Sequence, residues 1–312
     1  MAKTAFLFPG QGSQYVGMGK SLFASFAAAR KIFEQADEVL GFPLSKLCFE
    51  GPEEDLRLTQ NTQPALLTVS TAAMAVLSEN GIEPDYVAGH SLGEYSALVA
   101  AGSLSFADAL RLVRKRGQYM QEAVPVGVGA MPALLKLPEG KLDEILAQAA
   151  QGDVVSAANL NSPDQVVIAG HAAAVARAVE LAKAAGAKRA VMLPVSAPFH
   201  CSLMKPAQMR LAADLEAVTF QDLRYPLINN WQAREIRTAA EAREGLFHQV
   251  PNPVRWTETV RYLAACGVDR FVEVGPGTVL SGLLRGLSTP YKSYKFGEAE
   301  DWEKIYEAFN QP

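Results

Sequence analysis

Ser91 stands in Gly89-His90-Ser91-Leu92-Gly93, a G-x-S-x-G pentad. A serine held between glycines at this spacing suits acyl transfer when a strand enters the turn and a helix leaves it. Both are legible here. Tyr86-Val87-Ala88 reads as the end of a strand, and residues 92–101 read as a helix that Gly102 stops. Such a turn exposes the hydroxyl beside the positive end of a helix dipole, where backbone N–H groups can receive an oxyanion. The plain alternative is a strand–helix turn with an N-capping serine.

A nucleophilic serine needs a base. The chain has four histidines, and His200, in Ser196-Ala197-Pro198-Phe199-His200-Cys201-Ser202, follows a strand in a loop. The other three have weaker claims. His90 lies in the elbow with its side chain facing away from that of Ser91. His171 follows Gly170 at a helix start, and His248 sits late in a helix. Cys201 reads as structural, because adjacent residues rarely align as nucleophile and base. A candidate cation comes from residues 106–123. There Phe106, Ala109, Leu110, Val113, Gly117 and Met120 form one apolar stripe at helical spacing. Arg111 and Lys115 point away from the stripe. Arg114 and Arg116 lie on its shoulders, from which a side chain reaches either solvent or a cleft; periodicity does not choose between them.

These residues need a scaffold. Residues 3–8 predict a buried strand, followed by Pro9-Gly10-Gln11-Gly12-Ser13-Gln14 and a helix from about Met18. Tyr15 occupies the third glycine position of a dinucleotide fingerprint, so that motif fails. Residues 30–58 read as irregular helix and 63–80 as a buried helix. From 128 the rhythm changes. Strands at 130–137, 154–159, 165–169 and 189–195 alternate with helices at 139–150 and 172–185, and Asn161-Ser162-Pro163-Asp164 joins the middle pair. The order β-α-β-β-α-β predicts a ferredoxin-like unit at 128–195, inserted in a larger α/β domain of residues 1–127 and 196–312. The larger domain continues with a strand at 227–229 and a helix from about Asn252 through Cys266. A strand at 270–274 follows, then Gly275-Pro276-Gly277-Thr278 with a helix to Leu287, and a polar helical tail at 297–312. The glycine loops at Gly10, Gly89 and Gly275 are expected to converge at the carboxyl edge of a parallel sheet, the binding crevice of such folds.

Composition narrows the classes. The chain has 312 residues, 49% hydrophobic, enough for a large core. A formal charge of -4 gives no general affinity for nucleic acid. No apolar run is long enough to span a membrane. Three scattered cysteines predict a reducing cytoplasm, with no disulfide framework and no metal site.

Together, Gly10-Gln11-Gly12-Ser13-Gln14, Gly89-His90-Ser91-Leu92-Gly93-Glu94, Pro198-Phe199-His200 and Gly275-Pro276-Gly277 resemble, in their order, the malonyl-CoA:acyl carrier protein transacylases. Acyltransferase domains of polyketide and fatty acid synthases are similar too. The resemblance runs from the first strand to about Leu287. It implies a hydrolase-like α/β core with a ferredoxin-like insertion, and a Ser–His dyad without a triad aspartate. Ser91 matches the nucleophile and His200 its base. The N–H groups of Gln11 and Leu92 match the oxyanion hole. Arg116 matches the residue that holds the malonyl carboxylate, and Asn161 and Phe199 line the cleft. Gln249 matches the residue whose backbone carbonyl orients the histidine. The implied reaction moves malonyl from malonyl-CoA to the phosphopantetheine thiol of acyl carrier protein, as a monomer, without a bound cofactor, in fatty acid synthesis. The alternatives are a discrete polyketide acyltransferase, a serine hydrolase or thioesterase, and an inactive partner-binding subunit. A strand and the Gly275 loop still follow His200, which speaks against the hydrolase.

Overall fold

The computed structural model describes residues 3–195 and 197–310; Ser196, at the head of the histidine motif, and the tail residues Gln311 and Pro312 lie outside them. Five strands run parallel in the larger sheet, in the order Lys292–Phe296, Val268–Val274, Lys3–Phe8, Tyr86–Gly89 and Leu227–Ile228. Glu235–Ile236 adds an antiparallel edge. Strand Lys3–Phe8 is buried from Thr4 onward, as a parallel strand covered on both faces must be. Its alternate residues feed two apolar layers: Phe6 and Phe8 join Val87 and Val272, while Ala5 and Leu7 join Ala88 and Phe271.

Two of these strands were not expected. Lys292–Phe296 reads Lys-Ser-Tyr-Lys-Phe, too polar to stand out, and is largely exposed at the sheet margin. Glu235–Ile236 is two residues long. The tail is also less polar than its composition suggests. Helix Trp302–Asn310 buries Ile305 and packs Trp302 edge-on against Phe26 and at a tilt against Phe296. The expected helix running to Leu287 is only Val279–Leu283, continued by a 3-10 turn at Leu284–Gly286. Residues 30–58 resolve into helices Ala27–Leu40, Leu44–Glu50 and Glu53–Arg57.

The buried helix runs Thr59–Glu79, four residues longer at its start than the apolar pattern indicates. Pro64 lies inside it and lacks the N–H that would reach the Gln60 carbonyl. Arg114 takes that carbonyl instead, at 3.1 Å, along with Asn61 Oδ1, and stacks over Phe42. One shoulder arginine of helix Phe106–Glu122 is thus spent on structure. Beside its neighbour, Gly117 lets the two helices touch. A Cβ there would lie 2.7 Å from the Thr59 carbonyl oxygen.

The smaller sheet is antiparallel, ordered Val155–Ser162, Gln165–His171, Pro132–Leu135, Arg189–Met192. This is the ferredoxin-like order. Helices Leu142–Ala150 and Ala172–Ala184 cover one face through Leu134, Ile145, Ile168 and Ala178. The other face, with Ala133 and Val167, looks onto a pocket. Two expectations need correction. The first strand breaks at Met131 into Gly129–Ala130 and Pro132–Leu135, so Pro132 opens a strand where no ladder donor is required. Asn161 and Ser162 belong to strand Val155–Ser162 rather than to the connection, which shrinks to Pro163 and Asp164.

Candidate active site

The glycine loops after Lys3–Phe8 and Tyr86–Gly89 meet at the carboxyl edge of the larger sheet. Gly89 and Gly93 make the elbow possible. A Cβ on Gly89 would lie 1.9 Å from Gly93, and one on Gly93 would lie 2.0 Å from the Phe8 carbonyl oxygen. Ser91 between them has φ 51°, the left-handed region that a non-glycine residue rarely occupies. Asn230 braces it: Oδ1 accepts from the Ser91 N–H at 2.7 Å, and Nδ2 donates to the Gly89 carbonyl at 2.7 Å. Helix Gly93–Ala100 then runs away from the hydroxyl.

His200 lies 2.7 Å from Ser91, Nε2 to Oγ. Its Nδ1 is 3.1 Å from the Gln249 backbone carbonyl. A carbonyl only accepts, so Nδ1 carries the proton and Nε2 turns its lone pair to the serine. The sequence expectation for Gln249 concerned this carbonyl; its side chain does more. Gln249 Oε1 accepts from Arg116 at 2.9 Å, and Nε2 donates to the Ser91 carbonyl at 3.0 Å. His200 is only 3% exposed, and it too is left-handed, with φ 58°. Burial, and then the Arg116 charge, push its pKa down to about 3. The ring is therefore neutral, the state a base requires, throughout the neutral range.

Arg116 is the shoulder arginine that enters the site. It is 1% exposed, and burial pulls its pKa down. Nη1 donates to Gln63 Oε1 at 2.8 Å, Nη2 reaches Ser91 Oγ at 3.2 Å, and the group stacks over Tyr95. Nε has no hydrogen-bond partner among the described residues. A buried guanidinium without a carboxylate in direct contact leaves a strong requirement for an anion beside the serine.

These groups open on a cavity of about 270 Å³ between the sheet edge and the free face of the smaller sheet. Gln11, Leu92, Phe199 and Asn161 all line it. Asn161 Oδ1 meets His90 Nε2 at 2.8 Å, so His90 turns to Asn161 and Trp256 rather than to the serine. His171 stays local, where its Nδ1 accepts from the Val154 N–H. Cys201 donates to the Pro198 carbonyl, and burial pushes its thiol up to about 11. Among the described residues no group of three or more His, Cys, Asp or Glu is placed to hold a metal, and no helix is long and apolar enough to cross a membrane.

Sequence reading missed Asn230 and Gln63, and it quoted Glu94 in the elbow motif without giving it a role. Asn230 had a signal: a polar pair, Asn229-Asn230, directly after an apolar strand that ends at the same sheet edge. Glu94 had another, a carboxylate in the first turn of an otherwise apolar helix.

The His200 environment fixes a pH dependence. A histidine whose pKa is depressed to about 3 stays a competent base as pH falls through its ordinary value of about 6.5. The kcat/KM for acylation, which reports groups of the free enzyme, is expected to stay level from pH 8 to pH 5. Stopped-flow acylation checks this, and an acid limb between pH 6 and 7 would contradict the burial of His200.

The comparisons agree with the geometry. Residues 5–304 match the model of the acyl transferase domain. A malonyl CoA-acyl carrier protein transacylase of Bacillus subtilis is 50% identical over 304 residues, spanning 97% of this chain and 96% of that protein. An acyl carrier protein S-malonyltransferase structure from Vibrio cholerae superposes with a TM-score of 0.95 at 46% identity, over 97% of this chain and all of that one. A malonyl-transacylase solved with its type II polyketide acyl-carrier protein gives 0.96 at 45% identity, covering 98% and 100%. With a serine on a strand–helix elbow, a neutral histidine behind it and this likeness along nearly its whole length, the chain belongs to the acyl transferase family.

Proposed function

We propose that the protein transfers malonyl from malonyl-CoA to the phosphopantetheine thiol of an acyl carrier protein through malonyl-Ser91. One observation carries the choice of acyl group: the buried Arg116 guanidinium lines the cavity 3.2 Å from Ser91 Oγ, and its hydrogen-bond partners among the described residues, Gln63, Ser91 and Gln249, are all uncharged. A carboxylate two bonds beyond the reacting carbonyl meets that need, and an acetyl group does not. The relatives named as malonyl transacylases support the same substrate.

In the first half-reaction Ser91 Oγ bonds to the thioester carbonyl carbon as its proton passes to His200 Nε2. The oxyanion sits on the N–H groups of Gln11 and Leu92, since Asn230 already occupies that of Ser91. The C–S bond breaks, His200 returns the proton to the leaving thiolate, and the ester remains. In the second half the carrier thiol gives its proton to His200 and attacks the ester; the C–O bond breaks and Ser91 recovers its proton. Arg116 holds the carboxylate in both halves, with Asn161 and Phe199 as walls of the cleft. We take residues 128–195 as a unit inserted between 1–127 and 196–312, acting in a monomeric cytoplasmic enzyme without a bound cofactor. The test is intact-protein mass spectrometry after mixing with malonyl-CoA. A stable malonyl adduct on Ser91, discharged by holo acyl carrier protein, supports the reading; rapid loss of the adduct to water makes the protein a hydrolase.

The carrier, an acidic protein, must be met by a local basic surface, because this chain is itself acidic overall. Arg189 lies by register on the pocket-facing side of the smaller sheet, Lys188 directly precedes that strand, and Lys205 opens helix Lys205–Ala217 just after His200. Reversing all three charges is expected to raise the KM for carrier protein about tenfold at low salt, with acylation by malonyl-CoA unchanged. An unchanged KM places the docking surface elsewhere.

A further inference from the structure

Glu94 is a carboxylate with 0% exposure, one helical turn after Ser91, and the chemistry above does not use it. Its Oε2 accepts from Gln249 Nε2 at 2.8 Å and from the Asn230 N–H at 3.0 Å. Its Oε1 has no partner among the described residues. Burial raises its pKa to about 7. Both partners hold the reacting serine: Gln249 through the Ser91 carbonyl, Asn230 through the Ser91 N–H. Gln249 also holds Arg116.

The Gln249 amide therefore has a polarity. A guanidinium offers only donors and a carboxylate oxygen here only accepts. The amide oxygen must face Arg116 and the amide nitrogen must face Glu94; turned over, both contacts become repulsive. In the observed orientation one planar group ties the carboxylate, the serine backbone and the guanidinium into a single network.

We propose that Glu94 is a positioning residue: by fixing the polarity of the Gln249 amide and holding Asn230, it sets both the Ser91 elbow and the orientation of the Arg116 guanidinium. This rests on the roles of Ser91 and Arg116 given above. Any protonation falls on the unpartnered Oε1 and leaves the two hydrogen bonds of Oε2 in place. The acceptor at the Oε2 position, rather than the charge, does the positioning.

Two substitutions separate acceptor from packing. Glu94→Met keeps the length and apolar contact but offers no comparable acceptor. Its kcat/KM for acylation by malonyl-CoA is expected to fall about 100-fold, the scale of an ångström-level misplacement. The preference for malonyl- over acetyl-CoA is expected to narrow about tenfold, because Arg116 loses its orientation. Glu94→Gln places an amide oxygen where Oε2 stood and is expected to recover the rate to within about fivefold of the parent, with the preference intact. Thermal unfolding of each variant accompanies the kinetics.

A folded Glu94→Met enzyme with parental rate and preference overturns the proposal. So do equal losses for both acyl groups, which mark a merely structural role, and so does a Glu94→Gln enzyme as poor as the methionine variant. If the methionine variant fails to fold, Glu94→Gln decides alone: a folded Glu94→Gln enzyme that loses about 100-fold overturns the proposal, and one within about fivefold of the parent with its preference intact supports it. A parent enzyme that forms no malonyl-Ser91 overturns the reading of the site as well, which distinguishes that failure from one confined to Glu94.

Discussion

Ser91→Ala is expected to carry no malonyl group after incubation with malonyl-CoA and to lose on the order of 10⁵-fold in kcat for transfer. The hydroxyl is the only atom changed. It lies 2.7 Å from His200 Nε2 on one side and 3.2 Å from Arg116 on the other. The braces on residue 91 bind its backbone, through Asn230 and Gln249, so the elbow should survive the substitution. The melting temperature is expected to move by no more than a few degrees, as for the loss of about 1 kcal/mol of hydrogen bonding. Intact mass and the rate of transfer to carrier protein are the measurements. A variant that still accumulates a malonyl adduct on this site would place the nucleophile elsewhere.

Arg116→Ala is expected to reduce kcat/KM for malonyl-CoA about 1000-fold and for acetyl-CoA less than tenfold. The first figure follows from leaving a carboxylate beside the buried elbow without its cation, roughly 4 kcal/mol, at about 1.4 kcal/mol per decade. The second follows because acetyl never formed that contact. In the parent, acetyl leaves the buried guanidinium without an anion, so the substitution also removes part of the selection against acetyl. Lysine should restore only part of the malonyl rate, since an ammonium lacks the planar fork that reaches both Gln63 and Gln249. Competition between the two thioesters, read as the mass of the acylated enzyme, decides the point. Equal losses would make Arg116 a structural residue.

Much of this site was legible because its geometry admits few residue types. A turn as tight as the elbow demands Gly89 and Gly93, and the role of His200 was legible through the resemblance carried by Pro198-Phe199-His200. Arg116 was not separable from Arg114 by periodicity, since both stand on shoulders of the same stripe. Their fates differ through the facing helix Thr59–Glu79: Pro64 there frees the Gln60 carbonyl, which claims Arg114, while the close approach at Gly117 leaves Arg116 bonded to Gln63. The second role of Gln249 was hidden for a similar reason. Its side-chain contacts, to residues 91, 94 and 116, exist only after the large sheet has formed. In the fold, Lys3–Phe8 at the sheet centre announced itself by the apolar run Ala5-Phe6-Leu7-Phe8. Lys292–Phe296 did not, because a margin strand tolerates the lysines and serine that a central strand excludes. Asn161 was placed in a connection because Asn-Ser-Pro-Asp is turn-like throughout, yet only Pro163 and Asp164 turn.

Ser91 and His200 share one further property: both hold a left-handed backbone that favours glycine, at a cost of the order of 1–2 kcal/mol each. Folding alone therefore selects against the two residues that the chemistry selects for. In a lineage relieved of acyl transfer, glycine or asparagine at 91 and 200 would relax the chain, while Phe6, Leu7 and the rest of the core would still be held by packing. Erosion of function in this fold would then begin at its most reactive pair and leave a more stable protein behind.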